Sequence, residues 1–376
     1  MPAQATDPVR TLRSWIAVSL ACAFAMTAAR RPRRIESFDI DVYEYPPPFL
    51  LIPRALMILA PDFLRFRMIW FALNGAVLLI GVLAVARMLG PVAGTRALLL
   101  SPLVLASSLT INTLQIGNLQ AIVFSLAMIA MVLLTQRRYA AGGALLAYVT
   151  MSKLFPGMLL AYLLVQRKWR ALAWTIGLVA VLVAISLLDT GWPPYRAFLA
   201  HLPRLLSGES FPAFRNPYAI AKNYSVPGMA FKLRLFGVSG ASFGAMKVVG
   251  WIYTLVVLAA TVLAARRTWS RGQEPLVWLA ILILASLRSP FLPGYAIIPV
   301  LWLLTLLTAT VAPTVRTLWL VSLAWMCLNG AAWQSIKDPR LMAVMILLPQ
   351  AVILILILLA FRSRPDSTGH LPAEVG

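Results

Sequence analysis

Long apolar stretches separated by short polar turns run along most of the chain. Residues 63–188 contain no Asp or Glu, and most positions in that stretch are apolar. An ionised carboxylate at the centre of a bilayer is strongly unfavourable, so this pattern predicts a row of membrane-spanning helices. The apolar stretches place the spans near residues 12–29, 68–89, 94–111, 118–135, 139–152, 154–166, 170–189, 246–265, 275–288, 292–310, 315–333 and 341–361.

The predicted fold class is an all-α, multi-pass membrane protein. With 61% hydrophobic and 12% charged residues, the chain lies far from the values of about 45–50% and about 25% that soluble proteins show. At about 20 residues per helix, the 376 residues have room for about 10–13 transmembrane helices. We expect one transmembrane domain over residues 1–365 and a disordered cytoplasmic tail over residues 366–376.

The formal charge of +21 is spread over short basic clusters in the turns between apolar stretches. Such clusters orient a membrane protein, because cytoplasmic turns carry the excess of Lys and Arg. The pattern argues against a nucleic-acid-binding domain, and it adds attraction to anionic membrane lipids. The clusters are Arg137-Arg138, Arg167-Lys168-Arg170, Arg266-Arg267 with Arg271, and Arg362 with Arg364.

Because these clusters occupy alternate turns, the turns between them fall on the opposite side of the membrane. We therefore predict a protein of the plasma (inner) membrane with two loops on the extracytoplasmic face, a first loop at residues 30–67 and a long loop at residues 190–245. The arginines within residues 30–34 favour the opposite orientation for the first span alone, and the later spans outweigh them.

Each external loop contains a segment that suits the membrane surface. Residues 47–66 are apolar but too short and too rich in proline to span the bilayer, which predicts a helix lying at the interface. In the long loop, Tyr195, Phe198 and Leu202 recur at helical spacing. That spacing predicts a second amphipathic helix on the surface.

Several of the chain's twelve acidic residues cluster within residues 36–44 of the first loop. In an extended segment Asp39 and Asp41 project to one side, and Tyr43 and Tyr45 share that parity. Two neighbouring carboxylates do not both ionise readily, which suits a general base working near neutral pH. A solvated acidic loop that neutralises the nearby arginines is the alternative interpretation.

Amide side chains precede the span at 118–135, in the sequence Gln115-Ile-Gly117-Asn118-Leu-Gln120. Amides at a helix entrance can bind the hydroxyls of a sugar, while glycine permits a close approach. The alternative for Asn118 is an asparagine that only caps the next helix.

Two basic residues stand alone at predicted external boundaries, Lys153 shortly before Pro156 and Arg288 shortly before Pro290. Each can be an anchor whose charged end reaches the interface, or can hold a phosphate there. In the long loop, Arg215 and Asn223 lie among aromatic and basic residues, a mixture that binds sugars and phosphates.

The histidines and cysteines, by contrast, are isolated. No pair of them has the spacing of a metal site, and the chain has no glycine-rich phosphate loop. The sequence therefore predicts no cofactor and identifies no metal ligands, and it leaves metal dependence open.

Taken in order, these short motifs resemble those of a known enzyme family. Together they extend over most of residues 39–295, and they are similar to glycosyltransferase family 87, whose members look like polyprenyl-phosphate-mannose-dependent alpha-1,2-mannosyltransferases of the GT-C superfamily. The series is Asp39 with Val42-Tyr43 and Tyr45-Pro46-Pro47, then Gly117-Asn118-Leu-Gln120, then Lys153-Leu-Phe-Pro156, then Asn223-Tyr-Ser225, and then Ser289-Pro290.

The resemblance implies a GT-C-like fold with an active site between the two external loops. It implies inverting transfer of a hexose from a polyprenyl-phosphate donor to a hydroxyl of a glycolipid or glycan acceptor. Asp39 or Asp41 would deprotonate that hydroxyl. The residues implied to bind the donor phosphate are Lys153, Arg288 and Arg215, and those implied to contact the sugar or acceptor are Tyr43, Tyr45, Asn118, Gln120 and Asn223.

Two other functions stay open from the sequence. One is an uncoupled lipid or glycolipid flippase; no predicted span holds an Asp or Glu away from its ends, which argues against ion-coupled transport. The other is a catalytically degenerate relative, because Asp39 and the Tyr45-Pro46 element, usually well separated in the family, are almost adjacent here.

Overall fold

A computed structural model gives the fold over residues 45–329 and 336–362. These two ranges consist of helices and turns and contain no strand, so the all-α class is confirmed for them. The α-helices are α1 (Leu51–Leu59), α2 (Phe63–Met88), α3 (Pro91–Leu99), α4 (Pro102–Leu105), α5 (Ser108–Ile116), α6 (Gln120–Thr135), α7 (Tyr139–Ser152), α8 (Met158–Val165), α9 (Trp169–Thr190), α10 (Pro193–Ser207), α11 (Pro217–Ala221), α12 (Val226–Lys232), α13 (Phe243–Arg266), α14 (Glu274–Ser286), α15 (Ile298–Thr310), α16 (Val315–Asn329), α17 (Pro339–Met345) and α18 (Leu347–Arg362).

Each later predicted span corresponds to helices of the structure, with bounds that differ by several residues in places such as 292–310, where the α-helix begins at Ile298. The first span, the end of span 315–333 and the tail lie outside the described residues. One span differs in shape. Residues 94–111 are divided between α3–α4 and α5, whose axes are bent by 61°. The break falls at Ser107, whose backbone is extended and whose hydroxyl accepts the Thr110 N–H at 3.1 Å. This capping starts a new helix in place of a continuous span.

Length separates two kinds of helix. Within the described ranges four helical stretches are long and apolar enough to cross a bilayer, α2, α9, α13 and α17–α18, or five if the bent α3–α5 counts as one span. Six further apolar stretches are shorter, with 10–17 residues. The chain is therefore a multi-pass membrane protein, while the total of about 10–13 spans stays a prediction.

Among the short helices, α14 and α15 lie at the centre of the bundle, whereas the long helices are more exposed. Every residue of α14 from Pro275 to Ser286 is buried, and α15 is almost as enclosed. The long helix α9, in contrast, exposes apolar side chains such as Leu188 over much of its surface. A surface of this kind is stable against lipid rather than water.

Polar contacts join the basic clusters at one end of the bundle. Lys168 Nζ lies 3.8 Å from Glu274 Oε1. The Arg267 guanidinium donates a hydrogen bond to the Phe361 carbonyl oxygen at 3.0 Å, beside Arg362. Three of the clusters predicted to be cytoplasmic therefore share one end.

The first loop and the long loop meet at the other end. Arg54 of α1 forms an ion pair with Asp189, near the end of α9, at 2.9 Å. None of the residues of α1 is buried, and Ile58 is 77% exposed, as expected for a helix at the membrane surface. The predicted amphipathic helix of the long loop is also present, as α10, with Phe198 buried.

The predicted interfacial segment 47–66 extends further along the chain than the observed surface helix does. A 3₁₀ turn at Pro47–Leu50 leads into α1, and the chain from Phe63 onwards already belongs to α2. Asp62 sets this boundary, because its carboxylate accepts the N–H of Arg65 at 2.9 Å and caps α2.

Candidate active site

A cavity of about 610 Å³ lies at the end of the bundle where the two loops meet. Its walls come from Tyr45 and Pro46 of the first loop, from the starts of α6 and α8, from α10 and α13, and from the segment 285–296. Most of the lining is apolar. The cationic side chains of the lining, Lys153 and Arg288, enter from two helix-to-helix connections.

Lys153 stands where α7 ends. Pro156 cannot continue the helix, and the Lys153 backbone is already extended, with φ −144° and ψ 133°. The Lys153 ammonium donates to Gln120 Oε1 at 2.6 Å and lies 5.8 Å from the centroid of the Tyr45 ring. Three residues predicted for the site from distant parts of the sequence therefore lie together.

Hydrogen bonds to Gly117 and Asn118 fix the connection between α5 and α6. Gly117 ends α5 in the left-handed conformation (φ 69°), and the Trp70 indole donates to its carbonyl oxygen at 2.9 Å. Asn118 Oδ1 accepts the Gln120 N–H at 2.9 Å, and Asn118 Nδ2 donates to the Tyr295 hydroxyl at 3.4 Å. Asn118 thus fixes the backbone before α6, whose N-cap residue is Leu119, and it also lines the cavity.

Arg288 reaches the cavity from the connection after α14, and α13 holds its guanidinium. Nε donates to Thr254 Oγ1 at 3.0 Å, and Cζ lies 5.9 Å from the Trp251 ring. The guanidinium packs over Gly250, where an added Cβ would be 3.4 Å from Cζ. An arginine stays charged at neutral pH.

Trp251 and Thr254 are functional candidates that sequence reasoning missed. Both lie inside an apolar span, where a single Trp or Thr belongs to no motif. Trp251 and Thr254 are three residues apart, which places both on one face of α13. This spacing is the only indication in the sequence that the two residues act together.

The charges around the cavity are of one sign. Lys153 and Arg288 line it, and no Asp or Glu is among its lining residues in the described ranges. In the same ranges, no group of three or more His, Cys, Asp or Glu comes together. A partly enclosed cavity with two cations and amide donors favours an anionic ligand.

Two predicted site residues do not line the cavity. Arg215 is exposed at the end of a 3₁₀ turn, although its neighbours Phe211, Pro212 and Ala213 do line it. Asn223 is fully buried, and its side chain is occupied by backbone groups. Its Oδ1 accepts the N–H groups of Ser225 at 3.0 Å and Leu292 at 2.8 Å.

The Asn223 amide also donates to the Pro290 carbonyl oxygen at 2.9 Å, which the Ser225 hydroxyl contacts at 2.7 Å. These bonds fasten the long loop to the segment after Arg288. The observed role of Asn223 is therefore to hold the cavity wall, whereas contact with a sugar was expected from the sequence.

Asn223→Ala should lower the free energy of unfolding by about 3 kcal/mol, since it leaves two buried N–H groups without acceptors. Asn216→Ala is the matched control. Asn216 caps α11 near the surface, where the loss of a cap costs about 1 kcal/mol. Denaturant unfolding of the purified protein in detergent compares the two variants. Equal stabilities would contradict the structural role of Asn223.

Asp39, Asp41 and Tyr43 lie outside the described residues, so their roles stay predictions. Tyr45, which follows them closely in sequence, is described and lines the cavity.

Comparison with known protein families gives a match over most of the chain. The sequence model of Glycosyltransferase family 87 matches residues 43–293, a range that contains most of the residues lining the cavity. No curated protein and no solved structure is significantly similar to the chain.

Proposed function

The chain belongs to glycosyltransferase family 87, and we propose that it transfers a hexose, mannose, from a polyprenyl-phosphate donor to an acceptor hydroxyl at the outer face of the plasma membrane. The acceptor is a glycolipid or glycan, and the reaction inverts the anomeric carbon. The observation that carries this proposal is one cavity lined by Lys153 and Arg288 together with the amides of Asn118 and Gln120.

The two cations support a phosphate-bearing donor. When the sugar leaves, negative charge grows on the lipid phosphate, and fixed cations stabilise that charge. Arg288 has its Nε bonded to Thr254, which leaves the two Nη groups to bind two phosphate oxygens side by side. A phosphate stabilised in this way needs no separate acid to leave.

The apolar walls and the depth of the cavity support a donor with a hydrocarbon chain. α7 has 14 residues, about 21 Å at about 1.5 Å per residue, and the bilayer core is about 30 Å thick. If the basic turn before α7 lies at the cytoplasmic surface, Lys153 at its other end lies below the external surface. A lipid-linked sugar can approach such a cavity from within the membrane.

The first loop supplies the base in this proposal. Tyr45 lines the cavity, and an extended chain places Asp41 at most about 14 Å from Tyr45 and Asp39 at most about 22 Å. A segment of this length allows either carboxylate to approach an acceptor hydroxyl in the cavity. The positive-inside rule supports an active site at the outer face of the membrane. The basic clusters, which favour the cytoplasmic side, lie at the end of the bundle opposite the cavity.

Transfer from a polyprenyl-phosphate-linked sugar to an acceptor, measured in membranes, tests the proposal. A flippase would move lipid without forming a glycosidic product. In this assay Lys153→Ala should raise the KM for the donor about 10-fold to 100-fold, which corresponds to the loss of one charge-assisted hydrogen bond. The KM for the acceptor should change little.

Lys247→Ala is the control, since Lys247 is exposed near the start of α13 and does not line the cavity. An unchanged donor KM in Lys153→Ala would remove the phosphate role of that residue. Absence of transfer by the unaltered chain, in membranes supplied with donor and acceptor, would contradict the proposed function itself.

A further inference from the structure

Gln120 lies in the cavity wall with half of its amide unsatisfied. The residue is 2% exposed, and its Oε1 accepts a hydrogen bond from the Lys153 ammonium at 2.6 Å. Its Nε2 is also buried, and within the described residues it has no hydrogen-bond partner. A buried N–H without an acceptor costs free energy, so an unsatisfied amide in a cavity wall points to a ligand.

The orientation of this amide follows from its neighbour. An ammonium group only donates hydrogen bonds, so the oxygen of Gln120 must face Lys153 and its NH₂ group must face away. The backbone of Gln120 is fixed as well, through its N–H bond to Asn118 Oδ1. Nε2 is therefore a preorganised donor held beside a cation.

We propose that Gln120 Nε2 donates a hydrogen bond to a phosphate oxygen of the lipid-linked donor, so that Gln120 and Lys153 bind the phosphate as a pair. This assignment rests on the proposed function. It replaces the sugar contact expected for Gln120 from the sequence with a phosphate contact.

The excess of donors at the site favours phosphate over a sugar hydroxyl. Lys153 contributes donors alone and already bonds to the Gln120 oxygen, so the pair offers several N–H groups against one remaining lone pair of that oxygen. A phosphate oxygen only accepts, and it gains charge-assisted bonds from this pair. A hydroxyl oxygen carries no charge, so it gains less from the ammonium and the amide N–H than a phosphate oxygen does.

A neutral amide also preserves the charge of the site. A glutamate at position 120 would still accept from Lys153, but it would cancel the charge of the ammonium and would offer no N–H group. Gln120→Glu is therefore a nearly isosteric change that reverses both properties on which phosphate binding depends.

The test measures binding of farnesyl phosphate and of farnesol, which lacks the phosphate, to the purified full chain in nanodiscs. Gln120→Glu should weaken farnesyl phosphate binding about 100-fold, and Gln120→Leu, which removes only the neutral donor, about 10-fold. Farnesol binding should stay within about twofold of the unaltered chain in both variants, because no phosphate contact is involved.

Gln115 provides the matched control. Its Nε2 is likewise buried without a hydrogen-bond partner in the described chain, but it does not line the cavity. Gln115→Glu should leave the preference for farnesyl phosphate unchanged. Equal losses in Gln115→Glu and Gln120→Glu would overturn the assignment, because a general effect of charge would then explain both.

Farnesol binding also reports whether each variant is folded. A variant that loses farnesol is replaced by Gln120→Met, which fills a similar volume without an N–H group. If the folded Gln120 variants bind farnesyl phosphate as tightly as the unaltered chain, this inference is wrong and the proposed function stands. If the unaltered chain shows no preference for farnesyl phosphate over farnesol, the phosphate-dependent function itself fails.

Discussion

One of the two substitutions Asp39→Asn and Asp41→Asn should lower kcat for sugar transfer about 100-fold to 10,000-fold, the usual contribution of a general base. An attacking hydroxyl must lose its proton as the new bond forms, and no Asp or Glu lines the cavity within the described residues. The first loop reaches the cavity at Tyr45 and carries both aspartates shortly before it. Donor KM should change little, because the amide keeps the size of the carboxylate.

Radiolabelled sugar transfer in membranes measures this effect for each single variant and for the double variant. Asp62→Asn is the control, since Asp62 caps α2 and does not line the cavity. An asparagine caps a helix as well as an aspartate does, so this control should keep its activity. If Asp39→Asn and Asp41→Asn both retain full activity, neither residue is the base.

The helices of the fold could be predicted well because each apolar stretch is bounded by its own polar signal. The span near 139–152 is observed as α7 with the same bounds, and the span near 246–265 is observed as α13 (Phe243–Arg266). The bend within residues 94–111 was harder to predict. Pro102 and Ser107 can each begin a helix, and only packing decides whether a membrane helix breaks at such a residue.

Burial in the bundle could not be predicted from composition. α9 and α14 are both almost entirely apolar, yet α9 exposes much of its surface whereas α14 is enclosed from Pro275 onwards. In a membrane, lipid and protein neighbours are equally apolar, so hydrophobic periodicity does not show which face is inside.

Residues of the site could be predicted only where a polar residue stands at the boundary of an apolar stretch. Lys153, Asn118 and Gln120 stand at such boundaries, and all three line the cavity. Asn223 lies in an equally suggestive loop. Its amide can face a ligand or a buried backbone, and the residue type does not distinguish these two environments; here it bonds to Leu292 and Pro290.

Arg288→Gln should reduce donor kcat/KM about 100-fold to 1,000-fold, the cost of removing one preorganised donor to a developing anion. Arg288 reaches the cavity with Nε fixed by Thr254 and its guanidinium beside Trp251, so its Nη groups are oriented before the donor binds. Arg288→Lys keeps the charge but loses the planar pair of donors. It should recover only part of the activity, to within about 10-fold of the unaltered chain.

Arg234→Gln is the matched control for this series, because Arg234 also lies over an aromatic ring, with Cζ 5.8 Å from the centroid of Phe231, but outside the cavity. Initial rates at varied donor and fixed acceptor concentration separate kcat from KM for all three variants. If Arg288 binds the phosphate equally in the ground state and the transition state, its loss changes KM alone, whereas kcat also falls if Arg288 binds the phosphate more strongly as it leaves. Full activity in Arg288→Gln, or the same loss in Arg234→Gln, would exclude Arg288 as a ligand of the departing phosphate.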